Sequence, residues 1–152
     1  MSKSINHLAT ADGLFFGKGA LDQRKTSKMV DEALAGTDDG ELFLEYVQSE
    51  SLSFDDGKLK SAAFDTTQGF GLRAVAGDST GFAHASALDE QALKRAVATV
   101  KAVRAGYSGK IGDAPRGTNH LLYADDNPID GEAFAKKVAL LQEIDALSLI
   151  HI

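Results

Sequence analysis

The chain contains no cysteine. That absence excludes a disulfide scaffold, a cysteine-ligated zinc or iron–sulfur centre and a thiol nucleophile, and it is compatible with a reducing compartment. Histidine is scarce as well: His7, His84, His120 and His151 make four, and none lies within four residues of another. A helical His-x-x-x-His pair is therefore missing, and a histidine zinc site would have to be assembled from distant segments. Basic residues are too few to form a stripe that releases counterions from a nucleic acid, since 16 Lys and Arg stand against 22 Asp and Glu, a net charge of −6. No run approaches the roughly 18 apolar residues of a membrane span, and residues 1–10 lack the basic-then-apolar order of a secretory signal. Nucleic acid and membrane drop out as expected partners, and the cytoplasm is the expected location.

What is present fits one ordinary globular domain: 152 residues, 43% hydrophobic and 25% charged, enough to bury a core. Met29, Val30, Ala33 and Leu34 recur at helical spacing from Asp22 onward, with Gly36 as the stop. The cluster Leu14-Phe15-Phe16, held between Gly13 and Gly17, is too short for a helix of its own and is expected to dock on the core. Residues 41–86 then turn rich in β-formers cut by turn residues, which predicts an antiparallel meander with strands near 41–54, 58–66, 69–76 and 81–86. Asp56-Gly57 suits a tight hairpin, and Gly77-Asp78 with Gly81 marks another reversal. In the first strand Leu42, Leu44, Tyr46, Leu52 and Phe54 share one face, interrupted by Gln48 and Glu50. The strand is either irregular, bulged or at an edge, or the polar pair faces a groove.

The next helix has Asp89 as N-cap, a Leu88 and Leu93 staple, and an apolar stripe through Ala96, Val97, Val100 and Val103 up to Gly106. Residues 106–127 form a long connector with a short strand expected at 120–124. A last helix is expected from Asp130 through Phe134, Val138, Leu141 and Ile144. The chain then closes on Leu147-Ser148-Leu149-Ile150-His151-Ile152, an apolar ending where termini are usually polar. The domain is taken as residues 1–146, and 147–152 reads as an atypical tail left by truncation or a frame shift. The fold class is α+β: an antiparallel meander of about four strands packed with three helices.

Few residues offer chemistry. Gly69-Phe70-Gly71 lacks the third glycine and the Lys-Ser/Thr of a phosphate cradle, and reads as a bulge or a close backbone approach. The pairs Asp38-Asp39, Asp55-Asp56 and Asp125-Asp126 sit in turn-like sequence without the alternating spacing of a calcium loop. His84 shares strand parity with Phe82 and reads as a packed or interface residue, since no nucleophile motif accompanies it. Arg73, inside a strand between apolar neighbours, is expected to pair with a carboxylate or reach an interface. Residue chemistry alone stops at an α+β domain with no visible active site.

A resemblance extends this. The runs 40–46, 49–51 and 56–60, and above all Asp65-Thr66-Thr67-Gln68-Gly69-Phe70-Gly71-Leu72-Arg73-Ala74-Val75-Ala76-Gly77 followed by Thr80-Gly81-Phe82-Ala83-His84, resemble the N-terminal domain of the TldD/PmbA family, its TldD branch in particular. The resemblance runs from about residue 8 to 146. It implies the non-catalytic front domain of a zinc metalloprotease that cleaves extended or unfolded peptides and works with a TldE/PmbA-like partner subunit, with self-association as the other possibility. In the family the zinc site is a His-Glu-x-x-x-His helix plus a later cysteine in the C-terminal portion, and none of these residues is present here. No catalytic or metal residue is therefore assigned to this chain, which holds no cofactor of its own, and zinc is expected in the full-length parent. Gln68, Gly69, Gly71, Arg73, Gly77 and Gly81 carry the family motif as structural or substrate-cavity residues, while Gln48 and Glu50 suit a peptide-facing role at a sheet edge. The alternative is a freestanding binding or regulatory module of the same fold without protease activity.

Overall fold

The computed structural model describes residues 7–17, 21–103, 105, 109 and 127–150. Its elements are α1 (His7–Phe16), α2 (Gln23–Leu34), β1 (Asp39–Asp55), β2 (Lys58–Ala76), β3 (Ser79–Ala85), α3 (Glu90–Val103) and α4 (Phe134–Ile150). The strands form one antiparallel sheet in the order β1-β2-β3, so the fold is α+β as the sequence predicts. Both reversals follow from local chemistry. Asp56 and Gly57 take φ of 50° and 69°, the two left-handed positions that a two-residue hairpin needs to match strand twist. Gly77, at φ 57°, turns β2 into β3, which pairs from Phe70 opposite Ala85 to Ala76 opposite Ser79.

The described residues divide into two compact units, one drawn from Met1–Tyr46 and Gln68–His120, the other from Val47–Thr67 and Leu121–Ile152. The first contains the main core. Strand alternation sends Phe70, Leu72, Ala74 and Ala76 to one face of β2. That face meets Leu93, Ala96, Val97 and Val100 of α3 and Ala33 and Leu34 of α2, with Leu42 and Leu44 of β1 packed alongside. Leu72, Leu93 and Val100 are fully buried, and such side chains each contribute about 1.5–3 kcal/mol. Both helices start where an aspartate satisfies an otherwise unpaired amide: Asp22 accepts from Lys25 N at 2.8 Å and Asp89 from Ala92 N at 2.7 Å. Glu90, in the first turn of α3, is bonded by Lys94 and lies near Lys25, which together hold its carboxyl below the usual range.

Three expectations change. Residues 58–66 and 69–76 are one 19-residue strand, because nothing in Thr66-Thr67-Gln68 reverses the chain and Gly69 serves close packing: a Cβ there would stand 2.8 Å from the Ala85 carbonyl oxygen. The sheet thus has three strands. Leu14-Phe15-Phe16 ends a ten-residue helix, α1, instead of lying outside one, although Phe16 does dock on the core as expected. The last helix starts at Phe134, not Asp130, since Asn127 accepts from Ile129 N at 3.0 Å and donates to Asp130 at 2.7 Å, holding 127–130 in a turn. The proposed strand at 120–124 lies outside the described residues.

In the second unit α4 packs Lys137, Val138, Leu141 and Asp145 half-buried, one side of the helix at i, i+1, i+4 and i+8. Asp145 accepts from Gly57 N at 3.0 Å, tying α4 to the hairpin turn. Phe134, Leu140, Ile144 and Leu147 remain exposed. Among the described residues no helix is long and apolar enough to cross a membrane.

Candidate functional site

The motif residues of the first unit collect on the end of β2 and on β3. On the sheet face opposite the core, Arg73 Nη2 donates to Asp39 at 2.6 Å and Nε donates to Glu41 at 2.9 Å. The hydrogen bond from Arg73 holds the Asp39 carboxyl below its ordinary value, and the bonds to Asp39 and then Glu41 raise the guanidinium above its own. The fork geometry of arginine suits two carboxylates at once, where lysine offers a point charge. The sequence predicts that Arg73 pairs with a carboxylate or reaches an interface, and the structure supplies two carboxylates from β1.

The glycines of the motif solve packing problems around this arginine. Gly71 has the Phe82 ring 3.2 Å from where a Cβ would sit. Gly81 is buried, and its missing Cβ leaves room for Val103 and for the backbone of α3 at Val100. Gly77 N donates to Asp38 at 2.8 Å, while Asp38 N donates to Val75 O at 2.8 Å, so the β2–β3 turn is anchored to the approach of β1. Asp38 and Asp39 thus hold another strand. Gln68 is exposed on β2. Phe82 is exposed, with its ring 5.7 Å from that of His84, which is exposed as well. This outer face is apolar and aromatic around one charge cluster, with Phe43 also exposed on it.

The peptide-facing candidates lie on β1 in the second unit. Burial alternates through all 17 residues of β1 without a change of phase, so the strand is regular, and it stands at the edge of the sheet order. Gln48 and Glu50 are half-buried on its inner face. Glu50 is engaged by Lys137 Nζ, which also donates to the Ile129 carbonyl at 2.5 Å. Both side chains of the pair are about four-fifths covered. Open clefts of about 280 and 260 Å³ flank Glu50, lined by Leu52, Leu140 and Leu141 on one side and by Ala63, Phe64 and Phe134 on the other. Glu50 therefore borders two clefts with its charge already matched by Lys137. Lys137 was not singled out in the sequence, and the signal was there: it is a cation on the same helical stripe as Phe134, Val138 and Leu141.

Among the described residues no three His, Cys, Asp or Glu side chains converge to hold a metal. The described residues supply no donor set that fits a zinc site, and no chemical step is assigned through a metal.

Comparison with known proteins agrees with the motif. Residues 40–105 match the model of PmbA/TldA metallopeptidase domain 1. A metalloprotease TldD homolog of Haemophilus influenzae is 31% identical over 112 residues, 71% of this chain and 23% of that protein. A metalloprotease TldD homolog of Buchnera aphidicola subsp. Acyrthosiphon pisum is 28% identical over 117 residues, 75% of this chain and 24% of that protein. The chain spans about a quarter of the length of these relatives. The matched stretch takes in Glu41 and Arg73 of the clamp, the glycine-bearing strands and α3, and through it the chain belongs to the PmbA/TldD family as a stretch of its first domain.

Proposed function

We propose that the chain is the non-catalytic front domain of a TldD-type zinc metalloprotease acting on extended or unfolded peptides in the cytoplasm, and that it contributes substrate-cavity surface and subunit contacts to the parent enzyme. The observation that carries this reading is the first-domain match at residues 40–105, combined with relatives named as TldD metalloproteases that extend far beyond it. Zinc, the activating Glu and the partner subunit belong to the parent in this reading.

The chain's own contribution is a rigid strand edge. β1 has a strand neighbour on one side among the described residues. An extended peptide laid along its free side would be held by main-chain hydrogen bonds, which suits many sequences because they read no side chain. Arg73 fixes β1 to β2 through Asp39 and Glu41, so the edge is presented with little freedom to lose on binding. Gln48 and the Glu50–Lys137 pair place polar groups beside apolar clefts that can take alternate side chains. Titrating a fluorescent, unfolded peptide into the purified chain tests this: saturable binding without cleavage is expected. Cleavage by the chain alone would overturn the non-catalytic assignment, and absence of binding would remove the substrate-cavity role.

A further inference from the structure

Aspartate is followed by glycine at four places in the chain, Asp12-Gly13, Asp39-Gly40, Asp56-Gly57 and Asp130-Gly131. Such pairs are chemically labile, because glycine has no side chain to hinder attack by its amide nitrogen on the preceding carboxyl. The glycine nitrogen bonds to the aspartate Cγ, the carboxyl hydroxyl leaves with the amide hydrogen as water, and a five-membered succinimide closes. Water then opens the ring at either carbonyl. Opening at the main-chain carbonyl gives isoaspartate, whose backbone runs through Cβ and Cγ; one water leaves, one enters, and nothing is oxidised or reduced. With glycine following in all four pairs, local sequence does not rank them, but their structural settings differ.

Asp12-Gly13 lies within α1, where helical hydrogen bonding fixes the amide. The Asp39 carboxyl is bonded by Arg73 at 2.6 Å and held below its ordinary value, so the un-ionised form that can lose a hydroxyl is scarce. Asp130 accepts from Asn127 Nδ2 at 2.7 Å. Asp56 sits at the exposed tip of the β1–β2 hairpin, and among the described residues no hydrogen bond or ion pair holds its carboxyl. The restraint there falls on the attacking amide instead: Gly57 N donates to Asp145 Oδ2 on α4 at 3.0 Å. That bond engages the hydrogen that the reaction removes and fixes the peptide plane, so ring closure waits on local opening of the contact. We propose that Asp56 is the isoaspartate-forming residue of this chain and that Asp145 on α4 guards it. Conversion adds one methylene to a two-residue turn whose φ values of 50° and 69° match the strand twist, so the altered tip no longer presents the Gly57 amide to α4. The proposal does not depend on the protease reading, and binding or cleavage of peptides does not bear on it.

The test incubates the purified chain at neutral pH and locates isoaspartate by peptide mapping with electron-transfer fragmentation, which separates it from aspartate of the same mass. In the folded chain isoaspartate is expected to build up at position 56 ahead of positions 12, 39 and 130. In denaturant, where the four settings are lost, position 56 should convert faster than in the folded chain and the four rates should converge. Asp145→Ala, a substitution that favours the helix itself, should speed conversion at position 56 about two- to tenfold, the gain in open population from losing one hydrogen bond. Positions 12 and 39, in the other compact unit, should keep the parent rate. Asp145→Asn retains an oxygen acceptor for Gly57 N–H and should stay near the parent, which separates the guarding bond from the mere loss of a charge. Should Asp145→Ala fail to fold, exchange of the Gly57 amide hydrogen in the parent gives a reading that needs no variant: it should be slower than in the denatured chain. The proposal is overturned if position 12, 39 or 130 converts as fast as position 56 in the folded chain, or if no isoaspartate forms at 56. It is equally overturned if Asp145→Ala leaves the rate at 56 unchanged or slows it, or if the Gly57 amide is unprotected.

Discussion

Replacing Gly81 with alanine inserts one methyl group between β3 and α3. The new Cβ would stand 2.7 Å from Val103 Cγ2, 3.3 Å from Val103 Cβ and 3.2 Å from the Cα of Val100. A side chain alone could turn aside, but valine in a helix has one strongly preferred χ1 and the Val100 contact is backbone. Relief therefore requires α3 to move off the sheet, loosening the packing around Leu93, Val97 and Val100. Extra methylenes in a packed core cost about 1–3 kcal/mol, and the loss of unfolded-state freedom on going from glycine to alanine returns about 0.4–1 kcal/mol. A net destabilisation of about 1–2 kcal/mol follows, or roughly 2–8 °C in the melting midpoint for a chain of this size. Gly13→Ala in α1 is the control, because nothing lies within 4 Å of its added methyl and helix propensity favours it by about 0.5–1 kcal/mol. Thermal melts followed by circular dichroism should move in opposite directions for the two variants. A Gly81→Ala chain that melts at or above the parent would refute the close-packing account of this motif glycine.

Two further predictions concern the ion pairs. The folded Asp39 carboxyl titrates below its ordinary 3.8 because Arg73 bonds it, so its contribution is full above that pH and is lost as pH falls through the lowered folded value. Arg73→Gln should flatten this acid limb of an acid-unfolding titration while leaving the neutral limb of the profile with the same shape; an unaltered acid limb would contradict the clamp. For the half-buried Glu50–Lys137 pair, Lys137→Ala leaves Glu50 uncompensated between apolar clefts and should cost about 1–2 kcal/mol, between the values for exposed and buried pairs. A double-mutant cycle with Glu50→Gln should return a coupling of similar size, and a coupling near zero would show that the two side chains act independently.

Much of the fold was legible because its signals are local. Asp22 and Asp89 announce helix starts by their own hydrogen bonds, Asp56-Gly57 turns by its own dihedrals, and the stripe through Leu93, Val97 and Val100 follows from helical spacing alone. What escaped depends on contacts made at a distance. Gly69 looks like a break between strands until the Ala85 carbonyl is seen beside it. Gly13 looks like a helix breaker, yet it lies within α1. Arg73 advertised a need for carboxylates, but Asp39 and Glu41 lie 34 and 32 residues away, and any of several acids would have fitted the sequence. Glu50 read as an interruption of the apolar face of β1 because its cation lies 87 residues on, across a connector that sequence cannot fold. The family motif was readable as a combination, and its physical content, an arginine clamp flanked by glycines that admit Phe82 and α3, emerged only from the packing.

The central proposal is that this chain supplies first-domain structure to a TldD-type metalloprotease and carries none of the metal chemistry itself. Elemental analysis of the purified chain after equilibration with zinc and removal of free metal, run alongside an assay with an unfolded peptide, tests it most directly. Zinc well below one equivalent per chain and no hydrolysis are the expected results. One tightly held zinc per chain, retained on dialysis and accompanied by peptide cleavage, would contradict it.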